Sequence, residues 1–269
     1  MEQHGNNPSK NVVAIIPARY ASTRLPGKLL LPIAGRPLIL HTLEQARKAR
    51  NIDRVIVATD DERIRDAVLA SGGEAVMTRP GHHSGSDRIA EVASALPAGS
   101  IIVNVQGDEP VIAPSSIEAA VDGIINDPAA DIVTTCEQID DIEDVLSPDI
   151  VKVVTGANGY AIYFSRSAIP FPREAATLHG GLKNALANEP GLIASFRKHT
   201  GLYVYTREFL LEFTKLRQGL LERAEMLEQL RALEAGARIK VVETAERSIG
   251  VDTQSDLEKV RRMIEAAVY

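Results

Sequence analysis

An α/β fold built on a mostly parallel sheet, with helices on both faces, is what this sequence predicts, and two features predict it. Short apolar runs rich in Val and Ile alternate with segments of helical spacing through the first half of the chain, and the connections are only a few residues long. Parallel strands need a helical crossover between them, and strands buried on both faces read as continuous apolar runs.

Val12–Ile16 is such a run and predicts the first strand. Pro37–Arg50 reads as a helix with Leu38, Leu40, His41, Leu43 and Ala46 near one side. Val55–Ala58 is a second strand, and Asp60-Asp61 supplies a helix start before Ile64, Val68 and Leu69. Ala75–Met77, Asp87–Leu96 and Ile101–Val105 continue the alternation as strand, helix and strand. After about Pro148 the rhythm changes. Val151–Val154 and Tyr160–Phe164 flank a Gly156-Ala157-Asn158-Gly159 turn and predict a hairpin. Pro170–Ser195, rich in Pro, Gly and Asn, is expected to be a mobile flap or a subunit contact. Leu202–Tyr205 reads as a strand, Leu220–Ala235 as one amphipathic helix, and Ser255–Val268 as a last helix packed back on the first sheet. The organisation expected is one domain over 11–269, with a core of about 11–150 and 236–269 and a smaller lobe of about 151–235. The polar start, Met1–Lys10, lacks the apolar core of a secretory signal and is expected to be a flexible tail.

At 269 residues, with 45% hydrophobic and 25% charged residues, the chain has ample interior to exclude water from a site. Its net charge of −6 argues against broad nucleic-acid binding, so a polyanionic ligand must be met by local basic clusters. The single cysteine, Cys136, excludes an intrachain disulfide, and its place in the apolar run Ile132–Cys136 favours a small buried thiol over a nucleophile. No apolar stretch approaches the ~20 residues of a membrane span, and the cytoplasm is the default location.

In open α/β sheets ligands bind beyond the carboxyl ends of the strands. The segments after Ile16, Met77 and Val105 are therefore decisive. The first, Arg19 to Lys28, holds the cations Arg19, Arg24 and Lys28, the hydroxyls Ser22 and Thr23, and a Pro-Gly turn. Cations, hydroxyls and backbone N–H groups converging in one loop suit a chain of phosphate oxygens, although the spacing is not that of a Walker A loop. The third, Gln106-Gly107-Asp108-Glu109-Pro110, sets a glycine beside acidic residues at a strand end. Asp108 fits the first carboxylate of a magnesium site; Asp252 is either a second carboxylate or the cap of the last helix. The second, Met77–Arg88, has glycines and hydroxyls able to bring main chain against a planar base. Its adjacent His82 and His83 do not make a zinc site, since neighbouring residues rarely chelate together.

The strings IPARYASTRLPGK, ATDDERI, MTRPGHHSGSDRIAEV, VNVQGDEP, YFSRSAIPFPR, RKHTGLYVY, LERAEMLEQLR and GVDTQSDLEKVR occur here in that order, from about Val12 to Arg262. In this the chain resembles the 3-deoxy-manno-octulosonate (KDO) cytidylyltransferases. The resemblance implies a Rossmann-like nucleotide-diphospho-sugar transferase fold with a smaller sugar-binding and dimerisation lobe. It implies transfer of CMP from CTP to the 2-hydroxyl of KDO, for lipopolysaccharide, with Mg²⁺ as cofactor and a homodimer as the assembly. By the same resemblance Asp108 and Asp252 hold the metal and act in catalysis with Arg19 and Lys28, and Ala18, Arg19, Ser22, Lys28, Arg79, Ser84, Gly85, Ser86 and Gln106 meet the nucleotide. Gln106, Arg166, Arg173, His199, Tyr203, Glu228 and Gln229 then meet the sugar acid. Two segments depart from the family pattern: Arg247-Ser248-Ile249 stands where a Pro/Gly-rich approach to Gly250 is common, and Gly180–Asn188 is irregular. These leave the reaction class intact, with a modified KDO, such as an 8-amino form, or a related nonulosonate as the alternative substrate. A non-catalytic nucleotide-binding regulator is the alternative class; it predicts loss of a metal carboxylate or of Lys28, and Asp108, Asp252, Arg19 and Lys28 are all present.

Overall fold

β-Branched runs without polar interruption become the strands that lie deepest. The structure, a computed structural model, describes residues 11–21 and 24–268. In chain order the elements are β1 (Val12–Ala18), β2 (Pro32–Ile33), β3 (Arg36–Pro37), α1 (Leu38–Lys48), β4 (Arg54–Thr59), α2 (Glu62–Ala70), β5 (Glu74–Met77), α3 (Gly85–Ser94) and β6 (Ile101–Asn104). They continue with α4 (Pro114–Asn126), β7 (Ile132–Gln138), α5 (Ile142–Leu146), β8 (Lys152–Thr155), β9 (Ala161–Ser165), α6 (Arg173–Leu178) and α7 (Leu182–Asn188). The last are β10 (Arg197–Thr206), α8 (Arg207–Phe213), α9 (Leu220–Glu225), α10 (Gln229–Glu234), β11 (Ile239–Glu243) and α11 (Gln254–Val268).

One nine-stranded sheet runs β11-β7-β10-β6-β1-β4-β5, with the β8–β9 hairpin attached beside β10. β1 pairs in parallel with β4 and β6, β4 with β5, and β7 with β11. β10 runs against its partners β6, β7 and β8. Along β1 the side chains alternate between two apolar layers, because successive Cβ atoms leave a strand on opposite faces. Val12, Ala14 and Ile16 join Leu43, Val68, Val121 and Val260 on one side; Val13 and Ile15 join Ile89, Phe213 and Leu230 on the other. Each fully buried Val, Leu, Ile or Phe among them contributes roughly 1.5–3 kcal/mol. The last helix does pack on the first sheet, through Leu257 and Val260.

Two expectations about the second half are corrected. Pro170–Ser195 is not an open flap: α6, α7 and a short 3-10 turn over Pro190–Ser195 fold it down, and Leu186 shares a third apolar cluster with Ile139, Val145 and Phe196. The glycines that suggested irregularity, Gly180 and Gly181, make the break between the two helices, with φ of +72° and +136°. Leu220–Ala235 is not one helix either. It breaks at Met226, which takes the left-handed φ of 54°, and the buried carboxylate of Glu222 meets Arg231 at 2.6–2.7 Å. Residues nine apart sit on opposite sides of a straight helix at 3.6 residues per turn, so only the break lets this pair close.

Candidate active site

The Arg19–Lys28 loop leaves β1 and returns to it because of one glycine. Gly27 has φ +65° and donates its N–H to the Tyr20 carbonyl; a Cβ there would meet the Tyr20 ring at 3.1 Å. Tyr20 in turn lies under the Arg63 guanidinium, 3.4 Å from its ring centre. The turn delivers Lys28 into a cleft of about 280 Å³ at the carboxyl ends of β1 and β6, lined among others by Ala18, Arg19, Arg24, Gln106, Asp108 and Asp252. Here the Lys28 Nζ lies 2.5 Å from Asp108 Oδ2, 2.8 Å from Asp252 Oδ1 and 3.1 Å from the Val251 carbonyl oxygen. Arg24 reaches the other Asp252 oxygen at 2.9 Å. Burial acts to lower the Lys28 pKa, but Asp108 and Asp252 outweigh it and the net shift is upward. Underneath, these two distant stretches of chain are locked together by the Val251 N–H on the Asp108 carbonyl, at 2.8 Å.

Whether Asp252 caps the last helix is settled by its neighbours. Thr253 does the capping: its Oγ1 accepts the Asp256 N–H at 3.2 Å, and the Asp256 carboxylate accepts the Thr253 N–H at 2.8 Å. The Asp252 carboxylate is thereby free to face the cleft. Gly107 supplies close approach beside it, since a Cβ there would stand 3.0 Å from the Pro17 carbonyl oxygen.

One side of the cleft is closed by the amino end of α3. Ser84 caps that helix in a reciprocal pair with Asp87, and Ser86 donates to Glu228 Oε2 at 2.7 Å. Ser84, Gly85, His82 and His83 line the cleft. Arg88 also reaches it, buried, held by Thr78 at 2.5 Å and Asp60 at 2.9 Å. Arg79 does not: it is exposed, pairs with Glu91 and faces the depression behind the loop. Ser22 and the Met1–Lys10 tail lie outside the described residues.

A second chamber of about 360 Å³ adjoins the first, and Asp252 lines both. Its walls include Glu109, Asp149, Lys198, His199, Tyr203, Gln229 and Ser248. β10 carries His199 and Tyr203, four residues apart, which a regular strand would separate by about 13 Å. A register shift between them shortens the step, and the two rings sit 5.4 Å apart. His199 is 9% exposed, and its Nε2 lies 2.9 Å from Thr134 Oγ1. Burial pushes its pKa down to about 3, which keeps the ring neutral. Burial also drives the Tyr203 hydroxyl pKa upward, and pushes Glu109 up to about 7 against a hydrogen bond from Ser248. Gln229 is 5% exposed, and its amide nitrogen has no hydrogen-bond partner among the described residues. An orphaned buried donor of this kind costs about 1–3 kcal/mol, which a ligand acceptor can recover.

Chain comparisons place this geometry among known proteins. A family model described as cytidylyltransferase matches residues 13–239. A 3-deoxy-manno-octulosonate cytidylyltransferase of Geobacter sulfurreducens is 53% identical over 93% of this chain and 98% of its own, and one of Trichlorobacter lovleyi is 52% identical over 93% and 97%. The chain belongs to the 3-deoxy-manno-octulosonate cytidylyltransferase family. Among solved structures, a CMP:2-keto-3-deoxy-manno-octonic acid synthetase complexed with CTP superposes with a TM-score of 0.86 and 42% identity, covering 96% of this chain and all of that one. A 4-diphosphocytidyl-2C-methyl-D-erythritol synthase from Anaerococcus prevotii, at 14% identity and a TM-score of 0.61 over 96% and 99%, shares the fold.

As a member of this family the chain presents most of the residues the sequence singled out, but not all. Gln106 bridges the chambers, donating to Asn104 and to the Gly201 carbonyl. Glu228 and its partner Ser86 line neither chamber; the Glu228 carboxylate accepts from Ser86 Oγ, and burial raises its pKa. Arg173 is exposed at the start of α6 and lines neither chamber. Arg166 is turned away onto backbone carbonyls of Glu225, Pro148 and Met226, at 2.7, 3.0 and 3.5 Å. Lys198, unnoticed in the sequence, lines the second chamber with its Nζ 2.5 Å from Glu137. Lys198 and His199 are adjacent on β10, in regular register with Glu137 and Cys136, and both line this chamber. Cys136 is buried with its thiol pKa pushed up to about 12, which suits an inert core residue.

Proposed function

We propose that this chain transfers CMP from CTP to the 2-hydroxyl of 3-deoxy-D-manno-octulosonate, releasing pyrophosphate. The observation that carries the reading is Asp252, shared by a cationic cleft and a polar chamber and joined through Lys28 to Asp108. In the reaction a bond forms between the sugar 2-oxygen and the α-phosphorus, the α–β bridging bond breaks, and the hydroxyl proton is lost. The two substrates must therefore meet where the chambers meet.

Arg19, Arg24 and Lys28 would bind and neutralise the triphosphate. The amino end of α3, with Ser84, Gly85 and Ser86, would meet the ribose and base beside Ala18 and Gln106. In the second chamber the Gln229 amide and the neutral His199 ring would hold sugar hydroxyls, and Lys198 offers the cation for the carboxylate. Asp108 and Asp252 fit a magnesium ion: they already converge on one cation, the Lys28 ammonium. Among the described residues no set of three or more His, Cys, Asp or Glu could cage a metal by itself. That suits an ion held by two carboxylates and completed by phosphates and waters. The chemistry magnesium supplies when bound is neutralisation of phosphate charge and a lowered pKa for the attacking hydroxyl.

A homodimer in the cytoplasm, serving lipopolysaccharide assembly, is the setting this reading entails. The lobe leaves Ile162, Leu178 and Leu220 65–75% exposed, as a subunit contact would use. No helix among the described residues is long and apolar enough to cross a membrane. The test is pyrophosphate release with each of the four nucleoside triphosphates, Mg²⁺ and a panel of keto-sugar acids that includes 8-amino-KDO. CTP with KDO should give the highest kcat/KM; no turnover with any pair would leave the regulator reading in its place.

A further inference from the structure

Behind the second chamber lie a buried lysine, Lys152, and a half-buried arginine, Arg166, neither of which lines it. Lys152 on β8 has no exposed surface. Its Nζ donates to three backbone carbonyls, those of Ser147 at 2.8 Å, Ile150 at 2.6 Å and Arg166 at 2.5 Å. An ammonium has three N–H donors, so this set saturates it, whereas a neutral amine could satisfy only two acceptors. Burying such a group is costly unless it is both hydrogen-bonded and compensated. The compensation is Glu225, whose carboxylate accepts from Ser165 Oγ at 2.6 Å and the Arg166 N–H at 2.9 Å. Arg166 completes the arrangement by binding the Pro148, Glu225 and Met226 carbonyls.

Two backbone segments are therefore pinned to the end of β9. One, 147–150, leads straight into Asp149, Ile150 and Val151, which line the chamber; the other, 225–226, leads into Leu227 and Gln229, which line it from the opposite stretch of chain. Val151 adds a link of its own, accepting the His199 N–H at 2.8 Å. We infer that Lys152 is a positioning residue for the sugar-acid site: its ammonium, with Arg166, fixes the two wall segments that present Asp149 and Gln229 to the substrate. The inference rests on the second chamber being the sugar-acid site, as proposed above. It also gives Arg166 a role through backbone rather than through the sugar carboxylate.

The test uses the full-length protein with Lys152→Met and, should that variant fold poorly, Lys152→Gln, which retains two donors. Steady-state kinetics should show KM for the sugar acid raised about tenfold or more, the size of one lost polar anchor, with KM for CTP within about twofold. Hydrogen exchange on the protein without substrates should speed up at amides 147–151 and 225–229 while β1 and β6 keep their protection. The glutamine variant should fall between wild type and the methionine variant in both measurements. A purely structural lysine gives a different result: exchange accelerates throughout, the melting temperature falls, and both KM values stay at the wild-type level. That result, or unchanged exchange in the two wall segments, overturns the inference. Failure of the wild-type protein to turn over CTP with any sugar acid overturns the reading of the chamber instead, and the exchange measurement still judges the brace.

Discussion

Single side chains decide the chemistry here, and each has a measurable signature. Asp108 is partly exposed and shares its cation with Asp252, so replacing it should disturb the fold little, by under about 1 kcal/mol. Asp108→Asn keeps the shape but halves the carboxylate charge facing the phosphates. It should lower kcat by about 10²-fold or more with a melting temperature near wild type. Near-normal pyrophosphate release from a folded variant would remove Asp108 from the site. Gln229 makes the opposite kind of prediction. Its buried amide nitrogen has no partner among the described residues, so the side chain carries a cost in the free protein that a substrate hydroxyl relieves. Gln229→Met, close in volume and without the donor, should leave stability unchanged or raise it by about 1 kcal/mol while raising KM for the sugar acid. A gain in stability with unchanged KM would show that the amide does not meet the sugar.

At the scale of elements, what the sequence made legible follows from how local the signal is. Val12–Ile16, Val55–Ala58 and Ile101–Val105 are strands because an unbroken β-branched run suits burial on two faces, and the structure has them within a residue or two. The cationic character of the Arg19–Lys28 loop was legible for the same reason: three cations and a Pro-Gly turn lie within ten residues. The second chamber was not, because it depends on a register shift in β10 and on a helix broken at Met226, neither of which periodicity reveals. Leu220, Ala224, Leu227 and Leu230 keep helical spacing across the break, so the pattern reads straight through it. The break carries its own prediction. Met226 is 76% exposed in a left-handed conformation that costs an L-residue about 1–2 kcal/mol. Met226→Gly should therefore stabilise by about 0.5–1 kcal/mol in urea denaturation, after the extra chain entropy of glycine is subtracted. A loss of stability would mean that the Met side chain has a partner outweighing the strain, such as a second subunit.

Over the whole molecule, one reversed strand explains why the two chambers adjoin. β10 runs against β6, so the end that carries His199 emerges beside the carboxyl end of β6, where Gln106 and Asp108 stand. The position that places His199 in the second chamber also buries it, and burial links that chamber to global stability. The ring titrates near 6.5 when the chain is unfolded and near 3 when folded. Between those values the unfolded state binds the extra proton, so stability falls as pH drops from about 6.5 and the loss is complete below about pH 3. Its slope approaches about 1.4 kcal/mol per pH unit within that window. His199→Gln removes this contribution. Other groups titrate nearby, and the upward shift of Glu109 acts in the opposite sense, so the informative quantity is the difference between the two proteins. Urea denaturation from pH 8 to pH 4 should give curves parallel above about pH 7. Below that, the wild type should lose stability faster than the variant, by close to one proton's worth per unit. Curves that stay parallel down to pH 4 would mean that the folded protein accepts a proton on His199, and the neutral hydrogen-bonding ring assigned to the sugar site would be wrong.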